Sequence, residues 1–286
     1  MTAVQRRVQR YDTSDTGVRA MRLALVTCAV RRMALGMSVV WLGAGCSVVN
    51  LWQPTDEQIL ARILPSAVLV ILEQQEGRRF RAASGVIIAT RPATSGTECF
   101  VLTAGHTFSG PARGKGVYVV FGSSKGRETK VRAAVLVESE TDNLDLALLK
   151  AESDRCTPAS VRRPAALGEW AWVVAFPWGS RMTLARGVVS QTDFDGSADR
   201  DRDSRLMVDA SVSYGASGAG VYEARTGGLI GVVEGYSTAR LNSQGGDTSW
   251  YIDVPVPGQT LVTSLRSIRK FLEETGHGDL LQDSFR

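Results

Sequence analysis

From Leu64 onward the chain falls into short apolar runs divided by turn residues. Ala67–Leu72, Gly85–Ala89, Cys99–Leu102, Gly116–Phe121, Lys130–Val137 and Leu144–Leu149 come first, followed by Trp170–Phe176, Gly187–Ser190, Arg205–Val208, Gly220–Tyr222 and Gly228–Val233. The first six runs are four to eight residues long and rich in β-branched side chains, which predicts strands. No helical periodicity separates them, so the pattern predicts an all-β antiparallel sandwich or a pair of barrels. The period changes near the end. Leu261, Leu265, Ile268 and Leu272 recur at three- and four-residue steps, charged residues occupy the other faces and Gly276 supplies a stop. This predicts one C-terminal amphipathic helix docked on the β-structure.

The aperiodic charged stretch from Asp193 to Arg205 reads as a surface loop. The expected organisation is a leader over 1–46, a linker over 47–63, a catalytic or binding domain over 64–274 and a tail over 275–286. With 44% hydrophobic and 22% charged residues among 286, the composition is globular, and 29 glycines against 9 prolines favour many tight turns.

The formal charge of +4 changes meaning once it is located. Seven arginines and two aspartates fall in residues 1–45, which leaves 26 basic and 27 acidic residues from Cys46 onward. A nearly neutral folded part gives no support for nucleic-acid binding. Arg31-Arg32, the apolar run from Met33 and the small residues before Cys46 have the anatomy of an export signal. The run is shorter than the roughly 20 residues that span a bilayer. Leu42–Cys46 resembles a bacterial lipoprotein box, with the leucine one position too far from the cysteine, so lipidation at Cys46 with membrane attachment and plain cleavage both stay open. Met21 and Met33 are alternative starts. The expected location is the periplasm or cell envelope, otherwise the exterior.

Cys99 and Cys156 can form one disulfide in an exported domain or remain two small buried thiols, and spacing does not choose between them. No CxxC pair or histidine cluster suggests a metal site, and no cofactor is implied.

Only two histidines exist, His106 and His277. His106 ends the apolar strand Val101–Gly105, where an imidazole can meet another sheet. Asp145 interrupts the apolar run Leu144–Leu149, and a carboxylate there needs hydrogen-bond donors or a cation. Ser217 sits in Gly215–Gly220, a glycine-rich bend able to expose a hydroxyl and aim successive N–H groups at one point. Together they supply the parts of a serine nucleophile system. Ser217 would attack, His106 would take its proton and Asp145 would orient the imidazole, with the N–H groups of Gly215 and Ser217 as oxyanion donors.

These residues carry a resemblance. Ser84–Ile88, Val101–His106, Asp142–Leu149, Val173–Gly179, Gly187–Ser190 and Trp250–Val256 resemble segments of trypsin-like serine proteases of the chymotrypsin fold, and within them the HtrA (Deg) branch. The resemblance covers about residues 64–274 and implies two six-stranded barrels, with His106 and Asp145 from the first and Ser217 from the second. It implies a polypeptide substrate, and the branch includes homo-oligomers. The family's accessory PDZ domain is expected to be missing. Two departures stand out: Ala216 replaces the usual Asp or Asn before the serine, and Glu234 lies where relatives often carry a small residue. Glu234 would either favour a basic substrate residue or point to solvent. Ala216 motivates an alternative function, an inactive pseudoprotease serving as a peptide-binding or scaffold module.

Overall fold

The structure, a computed structural model, describes residues 53–74, 77–94, 96–122, 128–141, 144–192, 205–242 and 251–281. The expected leader with Cys46 and the charged loop up to residue 204 lie outside the described residues.

Six antiparallel strands close the first barrel: β1 (Ala67–Glu73), β2 (Arg79–Ala93), β3 (Gly96–Thr103), β4 (Gly116–Phe121), β5 (Thr129–Thr141) and β6 (Leu144–Glu152). Their order around the barrel is β1-β2-β3-β6-β5-β4. The second barrel comprises β7 (Trp170–Ala175), β8 (Thr183–Gln191), β9 (Arg205–Val208), β10 (Gly220–Glu223), β11 (Leu229–Asn242) and β12 (Tyr251–Ser264). It closes in the order β10-β11-β12-β9-β8-β7. The all-β pair of six-stranded barrels is therefore the architecture that the resemblance implied.

Several strands read as unbroken apolar runs because both of their faces are buried. Along β1, Val68, Val70 and Leu72 fill the first barrel. The alternate residues Ala67, Leu69 and Ile71 face a separate core that also holds Val174, Phe176 and Tyr222 of the second barrel. The second barrel has its own interior around Val173, Val208, Val221, Ile230 and Val262. Successive strand side chains point to opposite faces, so one strand serves two cores.

The helical segments depart from expectation in three places. The segment expected to be a linker contains a helix, α1 (Asp56–Ile63), capped by a reciprocal Thr55–Gln58 box, with Ile59 and Ile63 buried in the shared core. The C-terminal helix α2 spans Leu265–Glu274 and starts at an Ser264 cap, so Leu261 belongs to β12. There it pairs across to Met207 of β9, and β-branched neighbours on either side favour the strand. The expected tail is packed down as far as residue 281: Leu280 and Leu281 are buried against the shared core.

Candidate active site

The sequence places Asp145 second in β6. Leu146 and Leu148 face the shared core, while Ala147 and Leu149 face the interior of the first barrel. Asp145 shares the parity of Ala147 and Leu149, so its carboxylate emerges where that interior ends. His106 waits there. It follows β3 in a single 3₁₀ turn, Gly105–Phe108, whose carbonyls at His106 and Thr107 accept hydrogen bonds from the Arg81 guanidinium at 2.8 and 3.0 Å.

The contact between the two residues is double. Asp145 Oδ1 accepts the backbone N–H of His106 at 2.6 Å, and Asp145 Oδ2 lies 2.6 Å from the ring Nδ1. An ionised carboxylate can only accept, so Nδ1 carries a ring proton, and in the neutral imidazole Nε2 is then the acceptor. The carboxylate side chain is 10% exposed and the imidazole 42%, so the pair is anchored inside and open outside.

Ser217 arrives from the second barrel on the loop before β10. Gly215 and Gly218 flank it at φ +91° and +86°, the left-handed region that glycine adopts at low cost. At Gly218 a Cβ would lie 2.1 Å from the Ser84 carbonyl, so close packing against the first barrel also demands glycine.

The loop's peptide planes are individually fixed. The Tyr214 carbonyl accepts from Trp178 N–H at 2.7 Å, and the Ala216 carbonyl accepts from Ala219 N–H at 2.9 Å. The Gly215 carbonyl accepts from the Ser84 hydroxyl at 2.7 Å, and the Ser217 carbonyl from the Ser84 N–H at 2.8 Å. Ala216 N–H and Gly218 N–H donate to the Ser213 and Val233 carbonyls at 3.0 and 2.8 Å. The N–H groups of Gly215 and Ser217 remain, with no acceptor among the described residues. In a trans peptide N–H and C=O point in opposite directions, so the bonds on Tyr214 and Ala216 carbonyls turn these two N–H groups the other way.

His106, Gly215 and Ser217 line one cleft of about 610 Å³, together with Phe80, Trp178, Tyr214, Glu234 and Tyr236. His277 lies in the turn after α2, donating its backbone N–H to Leu272, and takes no part in the cleft.

Glu234 neither points to solvent nor offers a free charge to a basic substrate residue. It forms a two-pronged pair with Arg205, at 2.8 and 3.0 Å, and its side chain is 19% exposed. Burial pushes the Glu234 carboxyl above its usual range, Arg205 pulls it back, the Asp145 charge pushes it up and His106 pulls it down. Arg205 was invisible as a site residue in the sequence. The residues flank β12 from β9 and β11, and only the barrel register brings them together.

An aromatic wall also went unread. Trp178 is 67% exposed and holds φ +56°, the only non-glycine residue at positive φ among the described residues. Its ring lies 5.1 Å from that of Tyr214, which stands edge-on to Tyr236 at 5.8 Å. Burial and the Tyr214 phenol push the Tyr236 phenol up to about 12, so it stays neutral. The Pro177–Gly179 turn that carries Trp178 is held from the first barrel by Arg79, whose guanidinium bonds the Gly179 carbonyl at 2.6 Å.

Cys99 and Cys156 form a disulfide, with Cα atoms 5.7 Å apart, on the first barrel. Among the described residues no group of three or more His, Cys, Asp or Glu side chains could hold a metal ion.

A family model described as "Trypsin-like peptidase domain" matches residues 83–232. No curated protein matches the chain. Among solved structures, the Rv3671c protease of M. tuberculosis H37Rv in an inactive serine-to-alanine form superposes with a TM-score of 0.54 at 18% identity, over 76% of this chain and 90% of that one. A serine endoprotease from Yersinia pestis gives 0.54 at 20% identity, over 78% and 66%. The HtrA-type protease AlgW, with a tripeptide, gives 0.55 at 18% identity, over 77% and 63%. At such identities the likeness is one of fold.

Proposed function

Because the chain belongs to the trypsin-like peptidase domain family and is a serine endopeptidase, we propose that it cleaves peptide bonds through an acyl-enzyme on Ser217, with His106 as general base and Asp145 as its orienter. The observation that carries this reading is the doubly bonded His106–Asp145 pair, which opens on the same cleft as Ser217 and two unused N–H groups.

Ser217 Oγ attacks the scissile carbonyl carbon as His106 Nε2 takes the hydroxyl proton. The imidazolium so formed is stabilised by Asp145. The carbonyl oxygen becomes an oxyanion and meets the N–H groups of Gly215 and Ser217, each worth about 3–4 kcal/mol in the transition state. Collapse expels the amine, which receives the proton from His106, and water repeats the sequence on the ester.

The protein is further read as exported, in the periplasm or envelope or secreted. The Cys99–Cys156 disulfide supports an oxidising compartment, and the sequence before Cys46 supports export with lipidation or cleavage. Ala216, which motivated the inactive alternative, is buried, and the loop it sits in is held by backbone bonds and Ser84 instead of an acidic side chain. The experiment is turnover of an unfolded protein substrate by the purified chain. Cleavage that is lost in both Ser217→Ala and His106→Ala supports the assignment, and cleavage persisting in Ser217→Ala refutes it.

A further inference from the structure

Ser84 is a fully buried polar residue of β2, and the catalytic roles proposed above make no use of its side chain. Val86 and Ile88, two and four residues on, face the shared core, so Ser84 points the same way, toward the second barrel. There its hydroxyl does two things at once. It donates to the Gly215 carbonyl at 2.7 Å and accepts from the Phe176 N–H at 2.8 Å. Its own N–H reaches the Ser217 carbonyl at 2.8 Å. Its carbonyl accepts from the Thr103 hydroxyl at 2.7 Å, three residues before His106.

The chain Thr103, Ser84, Gly215 therefore connects the strand that leads into the His106 turn to the loop carrying the nucleophile. The Gly215 carbonyl belongs to the peptide plane between the two unused N–H groups. Rotating that plane would turn the Ala216 N–H away from Ser213 and redirect Gly215. With Ala216 unable to anchor the loop through its own side chain, the tether on this plane comes from the other barrel.

We propose that Ser84 is the positioning residue of the nucleophile loop, holding the Gly215–Ala216 peptide so that the N–H groups of Gly215 and Ser217 converge on the oxyanion. The proposal rests on the reading of Ser217 as the nucleophile. It assigns to a strand of the first barrel the task that an acidic side chain before the serine would otherwise perform. The hydroxyl acts through the loop and touches no substrate, so its loss changes how well the transition state is held and leaves ground-state peptide binding alone.

The test compares the full-length wild type, Ser84→Ala and Ser217→Ala in three assays: peptide turnover, labelling of Ser217 by a fluorophosphonate, and inhibition by a peptide boronic acid, which mimics the tetrahedral intermediate. In Ser84→Ala, kcat and the labelling rate are expected to fall by about 10- to 100-fold, part of what removing a whole oxyanion donor costs. The boronate is expected to weaken in step, with KM within about twofold of wild type. A lower melting temperature accompanied by wild-type kcat well below the melt would reduce Ser84 to a structural residue and overturn the proposal, as would a KM rise at constant kcat. If Ser84→Ala does not melt cooperatively, Ser84→Cys, which fills the space and donates weakly, takes its place with the same expected outcome. Wild type that fails to label at Ser217 overturns the nucleophile assignment itself, and this proposal with it. Labelling of wild type and Ser84→Ala at equal rates overturns this proposal alone.

Discussion

Asp145 grips His106 at two points, one oxygen on the backbone N–H and the other on the ring Nδ1, both at 2.6 Å. The first bond fixes where the residue sits, and the second fixes which ring nitrogen faces the nucleophile. Asn at position 145 can keep the first, but its NH₂ group cannot accept from Nδ1–H, so the imidazole must turn or change tautomer. Asp145→Asn is therefore expected to lose about 10³- to 10⁴-fold in kcat while remaining folded. Steady-state kinetics beside a thermal melt would check this. Activity within tenfold of wild type would mean that the second contact is not used in catalysis.

Glu234 adds a second carboxylate to the surroundings of the His106–Asp145 pair, largely balanced by Arg205. A negative charge stabilises imidazolium, so its removal lets the neutral base persist to lower pH. Glu234→Gln is expected to move the acid limb of kcat/KM to lower pH, by on the order of half a pH unit for a screened pair. A pH–rate profile from pH 5 to 9 reads this directly, and a shift to higher pH would contradict it.

Because Arg205 occupies the Glu234 carboxylate, substrate preference is expected to come from the aromatic wall. Trp178→Ala should lower kcat/KM for substrates with a bulky apolar residue in the cleft by about three- to tenfold, chiefly through KM. Substrates with lysine or arginine there should be affected less. A peptide library cleaved by both proteins would decide, and a wild-type preference for basic residues would sink the argument.

Stability should carry its own pH signature. Arg162 grips Glu169 through two bonds of 2.7 and 3.0 Å, and this hydrogen bonding holds the Glu169 carboxyl below its usual range. A carboxyl lowered in the folded state contributes stability above the usual carboxylate range, which is lost as pH falls through the lowered value. The difference between wild type and Glu169→Gln in urea unfolding should be about 0.5–1 kcal/mol at neutral pH and shrink toward zero in acid. A difference that grows in acid would contradict the assignment.

The strands and the three candidate catalytic residues were legible because each breaks a local pattern. Asp145 is a charge in an apolar run, His106 ends one, and Ser217 sits among glycines. What escaped depends on contacts distant in sequence. A serine followed by glycine in a strand looks unremarkable, and Ser84 matters only because Gly215 and Phe176 meet it from the other barrel. Likewise the Arg205–Glu234 pair exists only in the register of β9, β12 and β11. Helix α1 did have a local signal, the Thr55–Gln58 capping box, but eight residues give too few repeats for periodicity to stand out. Leu261 fits helical spacing with Leu265 and was claimed by β12, where the Ser264 cap sets the true boundary.

The central claim is that Ser217 is a working nucleophile activated by His106, and covalent labelling tests it most directly. The purified chain would be treated with a fluorophosphonate probe and the adduct mapped by mass, in wild type, Ser217→Ala and His106→Ala. The account predicts a single adduct on Ser217 that is absent from Ser217→Ala and strongly slowed in His106→Ala. A folded wild type that takes no label, or labels equally well without His106, would contradict it.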